Sequence, residues 1–189
     1  SNGDDVTKFC TSKITNMQML LKNQVDFNQD ISTWDVSNVQ IFEDMFETAS
    51  SFNQDIGNWD LSNAVDLSNM FKGASSFNQD IGNWDVSNVG NFIGMFSDAI
   101  SFNQDIGDWD VSKSDAMGFM FQNATAFNQD IGNWDVSDVS FMDGMFETAT
   151  AFNQDLTQWC VSNFSSMPND FSTNSGLSPS NHPVWGTCP

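Results

Sequence analysis

FNQDIGNWDVSNVGNFIGMFSDA, residues 77–99, is the stretch on which the architecture turns, because the chain repeats it with almost no drift. FNQD begins at Phe27, Phe52, Phe77, Phe102, Phe127 and Phe152, and tryptophan follows at Trp34, Trp59, Trp84, Trp109, Trp134 and Trp159, so the period is 25 residues without insertion. A constant period means that each unit is one turn of chain laid on the last. The 189 residues are therefore expected to form one elongated domain, although length alone suggests one or two globular ones.

Two local patterns recur inside the unit. In Ile81, Trp84, Val86 and Val89 the apolar residues alternate around Trp-Asp-Val, which predicts a short strand with side chains pointing alternately in and out. In Phe92, Met95, Phe96 and Ala99 the three- and four-residue spacing predicts a short helical turn, α or 3-10. Gly57, Gly82, Gly107 and Gly132 mark a tight corner before the tryptophan, with Ser32 and Thr157 in their place at the outer units. Whether FNQDI adds a second strand stays open at this stage, since its glutamine would then have to find partners inside. The expected fold class is thus α/β, a capped solenoid with one short parallel strand and one short helical turn per 25-residue coil.

Both ends depart from the motif. Residues 1–26 read as a worn half-repeat acting as an N-terminal cap, with Phe9 in the Trp34 place, Ser12 in that of Ser37, Ile14 in that of Val39, Met17 in that of Phe42 and Leu20-Leu21 in that of Met45-Phe46. Its opening, Ser1 to Asp5, reads as an artificial boundary or a mature start. Residues 27–167 form the repeat array, and 168–189, rich in Pro, Ser and Asn, read as a C-terminal cap in which Phe171 and Trp185 cover the last coil.

Composition limits the partners. Five Lys plus Arg against 25 Asp plus Glu give a net charge of -20, which repels the phosphate backbone and anionic bilayers, so nucleic acid is not expected as a partner. The same charge attracts divalent cations and basic surfaces. Apolar residues make up 39% of the chain, enough for a continuous core, yet no run approaches the roughly 20 needed to span a bilayer.

The repeated pattern FNQDIxxWDVSNVxxFxxMFxxA resembles the repeat of the BspA-like, mycoplasma-lipoprotein-type surface proteins, irregular relatives of the leucine-rich repeat, over about Asp26 to Met167. The resemblance implies a right-handed, leucine-rich-repeat-like solenoid with a parallel sheet on one face, carried by a secreted or surface-anchored protein of a bacterium, protist or alga. It further implies a role in adhesion or in host and matrix interaction, and it supplies no catalytic residues to carry over.

In a stack, equivalent residues become ladders with a spacing of roughly 5 Å. The tryptophan ladder is expected in the core, the other reading being an exposed rail for sugar rings. Phe46 to Phe171 and Met45 to Met145 are core as well. Two aspartate ladders, Asp30, Asp55, Asp80, Asp105, Asp130, Asp155 and Asp35, Asp60, Asp85, Asp110, Asp135, must offset their own repulsion. Either each carboxylate accepts backbone N–H groups in a turn, which is favoured because no calcium-loop motif occurs, or neighbouring carboxylates share calcium, with Asp30 to Asp155 as the ligands. Asn28, Asn53, Asn78, Asn103 and Asn128 form a further ladder, as do Gln29 to Gln154 and Ser37 to Ser162. The Asp35 and Asn28 ladders are the candidate binding residues.

Three cysteines remain. Cys10 and Cys160 occupy equivalent positions six coils apart and cannot pair, so Cys160 and Cys188 are the expected disulfide, and Cys10 is left as a free thiol or for a bond to another chain. Such a bond suits an oxidising compartment. Two sequons, at Asn123 and Asn163, are compatible with secretion. His182, the only histidine, reads as a loop residue, and no nucleophile motif, phosphate loop or zinc spacing occurs. Carboxylates repeated in identical settings give none a special role of the kind a glycosidase needs. The function expected is a non-catalytic extracellular module for adhesion or for protein or glycan interaction at a cell surface or matrix. The alternative is a calcium-, mineral- or ice-surface binder using the stacked ladders. The positions where the units differ, Gln40, Val65, Gly90, Asp115 and Ser140 and again Glu47, Lys72, Ser97, Gln122 and Glu147, are expected to be exposed.

Overall fold

The computed structural model describes residues 5–189. Ser1 to Asp4 lie outside them, and with them most of the opening stretch. Each coil is a succession of reverse turns. In the unit starting at Phe77, the N–H groups of Trp84, Val89, Met95, Ser97 and Ala99 donate to the carbonyls three residues back, at 2.9–3.1 Å. Between them, Phe92, Gly94, Phe96 and Asp98 donate instead to Ala116, Gly118, Met120 and Gln122 of the next coil, at 2.8–2.9 Å. Every N–H from 92 to 99 but that of Ile93 is thereby used, alternately within the coil and between coils; the Ile93 N–H goes to the Asn91 side chain at 3.1 Å.

This arrangement corrects the expected helical turn. A helix needs a run of negative φ, whereas Gly94 and Asp98 lie at φ of 60° and 58°, and the equivalent residues of the other coils are left-handed too. A left-handed residue at the third place of a four-residue turn reverses the chain, as type II turns do. Two such turns in succession put Phe92, Met95, Phe96 and Ala99 on the inside with the spacing a helix would give.

The expected strand is absent as well. Trp84 and Val86 are buried and Asp85 is exposed, as alternation requires, but turns at 81–84 and 86–89 bracket them and their backbone pairs with no neighbour. Parallel pairing is reduced to single residues elsewhere in the coil, as five isolated bridges running Asn16, Ile41, Asp66, Asn91, Ala116 and Phe141. With the 3-10 helix Pro179–Asn181, these are the only regular elements among the described residues. The chain is thus not an α/β solenoid built from a strand and a helical turn per coil.

Beside these backbone bonds, side chains hold the coils in register. Phe52, Phe77, Phe102, Phe127 and Phe152 stack at 5.8–6.0 Å with rings within 10° of parallel, and each lies 4.0–4.1 Å from a ring of a second column, Phe46, Phe71, Phe96, Phe121 and Phe146. The tryptophan ladder is core, at no more than 5% exposure. Each indole N–H donates to the carbonyl 28 residues back, Trp84 to Ile56 and Trp109 to Ile81 at 3.1 Å. Asn63 and Asn88 reach the carbonyls of Ser37 and Ser62 in the same way, each at 2.8 Å. On this side of the coil, where a sheet was expected, side-chain donors take the place of backbone pairing.

The repeat register reaches back to Asp5, whose carboxylate accepts the Thr7 N–H at 3.0 Å as that of Asp30 accepts Ser32, while the Val6 carbonyl accepts the Trp34 indole at 3.1 Å. Met17 and Leu21 are buried as their equivalents are, but Phe9 is 57% exposed and does not take up the tryptophan role. Its ring has no N–H to give and no earlier coil among the described residues to lie against. At the other end, Phe146 and Thr148 donate to the carbonyls of Phe171 and Thr173 at 2.8 Å, so stacking continues past Met167. Trp185 closes the column edge-on to Phe171 at 4.9 Å, and Cys160 is bonded to Cys188.

Candidate binding surface

The invariant polar residues are spent on bonds within and between the coils. Each Asn of the Asn28 ladder accepts the backbone N–H of its equivalent one coil on, Asn78 from Asn103 at 2.9 Å for example, and also the amide of the following glutamine, Gln104 at 3.0 Å. The same holds for Asn28, Asn53, Asn103 and Asn128, so the FNQ segment is tied by amides and adds no strand. This repeated amide bond lies half-exposed along one edge.

Both aspartate ladders are exposed throughout. In Asp55, Asp80, Asp105 and Asp130, Oδ1 accepts the N–H of the glycine two residues on at 3.0 Å, and Asp155 accepts that of Thr157 at 2.9 Å. Asp35, Asp60, Asp85, Asp110 and Asp135 do the same with serine N–H groups at 3.0–3.1 Å. The turn bond that the sequence favoured over calcium is therefore made at every one of these positions. Hydroxyl and N–H donation from the residue two on holds the carboxyls of Asp30, Asp35, Asp60 and Asp110 below the ordinary carboxylate range. At Asp155 the Thr157 N–H leads and its hydroxyl follows. Among the described residues no three or more His, Cys, Asp or Glu side chains are grouped so that they could hold a metal ion.

Lys22 lies between Asp44, at 2.9 Å, and Glu47, whose hydrogen bonds push its ammonium pKa up. Cys10 is exposed as a free thiol, 3.6 Å from the Ser12 hydroxyl. His182 is half-buried against Phe171 and 3.3 Å from the Ser172 hydroxyl, and burial lowers its pKa.

Beside these bonded ladders, side chains that differ from coil to coil also reach the surface. Gln40, Val65, Asp115 and Ser140 are exposed and Gly90 partly so. The second set is more enclosed than expected, for Glu47, Lys72, Gln122 and Glu147 are half-buried and Ser97 is buried at 2%. The reason is that these side chains lie along the turn segment over one another, Ser97 on Gln122 at 3.3 Å and Gln122 on Glu147 at 2.6 Å.

Sequence reasoning passed over the neighbouring left-handed column, Met19, Asp44, Asn69, Gly94, Phe119 and Gly144. From Asn69 onward, large and small residues alternate here. A Cβ at Gly94 would run into the Asn69 amide, and one at Gly144 would lie 2.6 Å from the Phe119 ring. Between Asn69 and Phe119 the bare Gly94 floors a cavity of about 190 Å³ walled by Lys72, Ile93, Ser97 and Gln122. The alternation of Gly with Asn and Phe at a 25-residue spacing was the available signal.

No curated protein and no solved structure matches the chain. One family does, over residues 1–100 and again over 79–183, so that the two matches together span the repeat array and both of its ends. The chain belongs to the family described as "Mycoplasma protein of unknown function, DUF285".

Proposed function

We propose that this protein is a non-catalytic interaction module of a cell surface or extracellular matrix, binding protein or glycan along its side. The observation that carries the reading is the division of labour among its polar residues. Invariant amides and carboxylates are tied to backbone N–H groups, whereas Gln40, Val65, Asp115 and Ser140, different in every coil, point outward. A rigid scaffold with a non-repeating outer column is suited to selective recognition, since selectivity needs distinct side chains at fixed places. The repeat's resemblance to the BspA-like surface proteins, relatives of the leucine-rich repeat, supports the same reading. Secretion is supported by the Cys160–Cys188 bond, and the exposed Cys10 offers a thiol for joining a second chain.

Replacing Gln40, Val65, Asp115 and Ser140 together by alanine tests it. Retention of the purified chain on a panel of matrix proteins and surface polysaccharides is expected to be lost without change in melting temperature. Unchanged retention of the variant would overturn the reading. The alternative, a calcium, mineral or ice binder, draws on the second carboxylate oxygen that each exposed aspartate leaves outward. Millimolar calcium is expected to leave the melting temperature where chelator leaves it, and a clear rise would favour that alternative instead.

A further inference from the structure

We propose that the cavity floored by Gly94 is a subsite for one neutral pyranose unit of a glycan, an inference that rests on the module reading and names its ligand class. Two features of the cavity point there. Its volume, about 190 Å³, lies below the roughly 300 Å³ at which pockets begin to enclose a drug-sized ligand, so it takes a single ring. Its lining is mixed: the Phe119 ring and Ile93 supply apolar wall, while the Asn69 amide and the Lys72 ammonium supply polar groups, the Gln122 amide being held by Ser97 and Glu147. Sugar rings match that combination, with an apolar C–H face for an aromatic wall and hydroxyls for amides and ammonium.

The polar groups are poised for it. The Lys72 ammonium makes no hydrogen bond or ion pair among the described residues, unlike Lys22 and Lys113, which are held by Asp44 and Asn88. Phe119 is fixed on both sides, edge-on to Phe141 at 5.9 Å and seated over Gly144, so its wall is formed before a ligand arrives. The charge around the cavity decides for a neutral sugar. The Asp98 carboxylate accepts from the hydroxyl of the lining Ser97 at 3.4 Å, Glu147 holds the Gln122 amide at 2.6 Å, and the chain carries -20 overall, so an anionic sugar would meet repulsion that one lysine does not offset.

The test uses the chain at full length. Amide chemical shifts are followed by NMR as methyl glucoside, methyl galactoside and methyl mannoside are added, with glucuronate as the charged comparison. At least one neutral glycoside is expected to shift the amides of Lys72, Gly94 and Phe119. Two variants use residues that other coils already carry at the same place, so folding is kept: Phe119→Asn, after Asn69, and Lys72→Gln, after Gln122. Each is expected to weaken binding about tenfold or more. Failure of all neutral glycosides to shift those amides, binding of glucuronate alone, or undiminished binding by both variants would overturn the subsite. Should the chain still be retained on a surface polysaccharide or matrix protein, the subsite alone falls and the module reading stands.

Discussion

Trp84 offers the sharpest test of how the coils are held. Its indole is 3% exposed, lies 6.2 Å from the Phe71 ring and 6.3 Å from Trp109, and donates to the Ile56 carbonyl at 3.1 Å. Trp84→Phe keeps an aromatic body and removes only the indole bond, since the Ile56 carbonyl still accepts the Trp59 N–H at 3.1 Å, so it should cost about 0.5–1.5 kcal/mol. Trp84→Ala removes the body as well and is expected to cost about 3–5 kcal/mol. Because coils on either side both lean on this one, the loss should appear in the whole transition. Urea unfolding followed by the fluorescence of the remaining six tryptophans measures it. Trp185→Phe, at a half-buried indole outside the ladder, serves as the comparison and should cost less. If Trp84→Ala moves stability by less than about 1 kcal/mol, the side-chain ladder is not what holds the stack.

Asn78→Ala removes the acceptor of the Asn103 N–H and one of the two acceptors of the Gln104 amide and should cost about 1–3 kcal/mol in the same urea titration, whereas Asn78→Asp keeps the acceptor and should cost less. Asp30, Asp35, Asp60, Asp110 and Asp155 have lowered folded-state pKa values, so the stability their bonds give is present above the unfolded value of about 3.9 and is lost as pH falls through the folded ones. Melting temperature should hold between about pH 7 and 5 and fall below about pH 4; a rise there would mean that relief of aspartate repulsion outweighs the turn bonds. Cys160→Ser with Cys188→Ser opens a loop whose ends are 28 residues apart and should lower stability by about 3 kcal/mol, with hydrogen exchange rising first at the Ser178 and Gly186 amides.

The period, the buried tryptophans, the turn-bonded aspartates and the Cys160–Cys188 bond were all legible from residue spacing. The local backbone was not. Phe92, Met95, Phe96 and Ala99 have the same spacing whether they sit on a helix or on two left-handed turns, and burial follows the spacing in either case. The discriminating signal lay in the residues between, where Asp44, Asn69, Gly94 and Gly144, and then Gly73, Asp98 and Asn123, supply the turn chemistry that favours φ above zero. Trp84, Asp85 and Val86 alternate as a strand does, yet three residues between two turns are too few to pair. Phe9 misled because an equivalent position in sequence does not bring an equivalent neighbour in space. The Gly94 cavity was hidden for a related reason: it exists only between coils, where a small residue follows a larger one.

The tryptophan and asparagine bonds all run from one coil to the adjacent one, 28 and 25 residues away, and none skips a coil. Length is consequently a free variable of this design. A 25-residue cassette duplicated between Phe52 and Ala126 would meet the same partners above and below. It would extend the rod by no more than the 6.0 Å between successive phenylalanine rings and leave both caps untouched. Such a chain can be lengthened by gene duplication without invention of a single new bond.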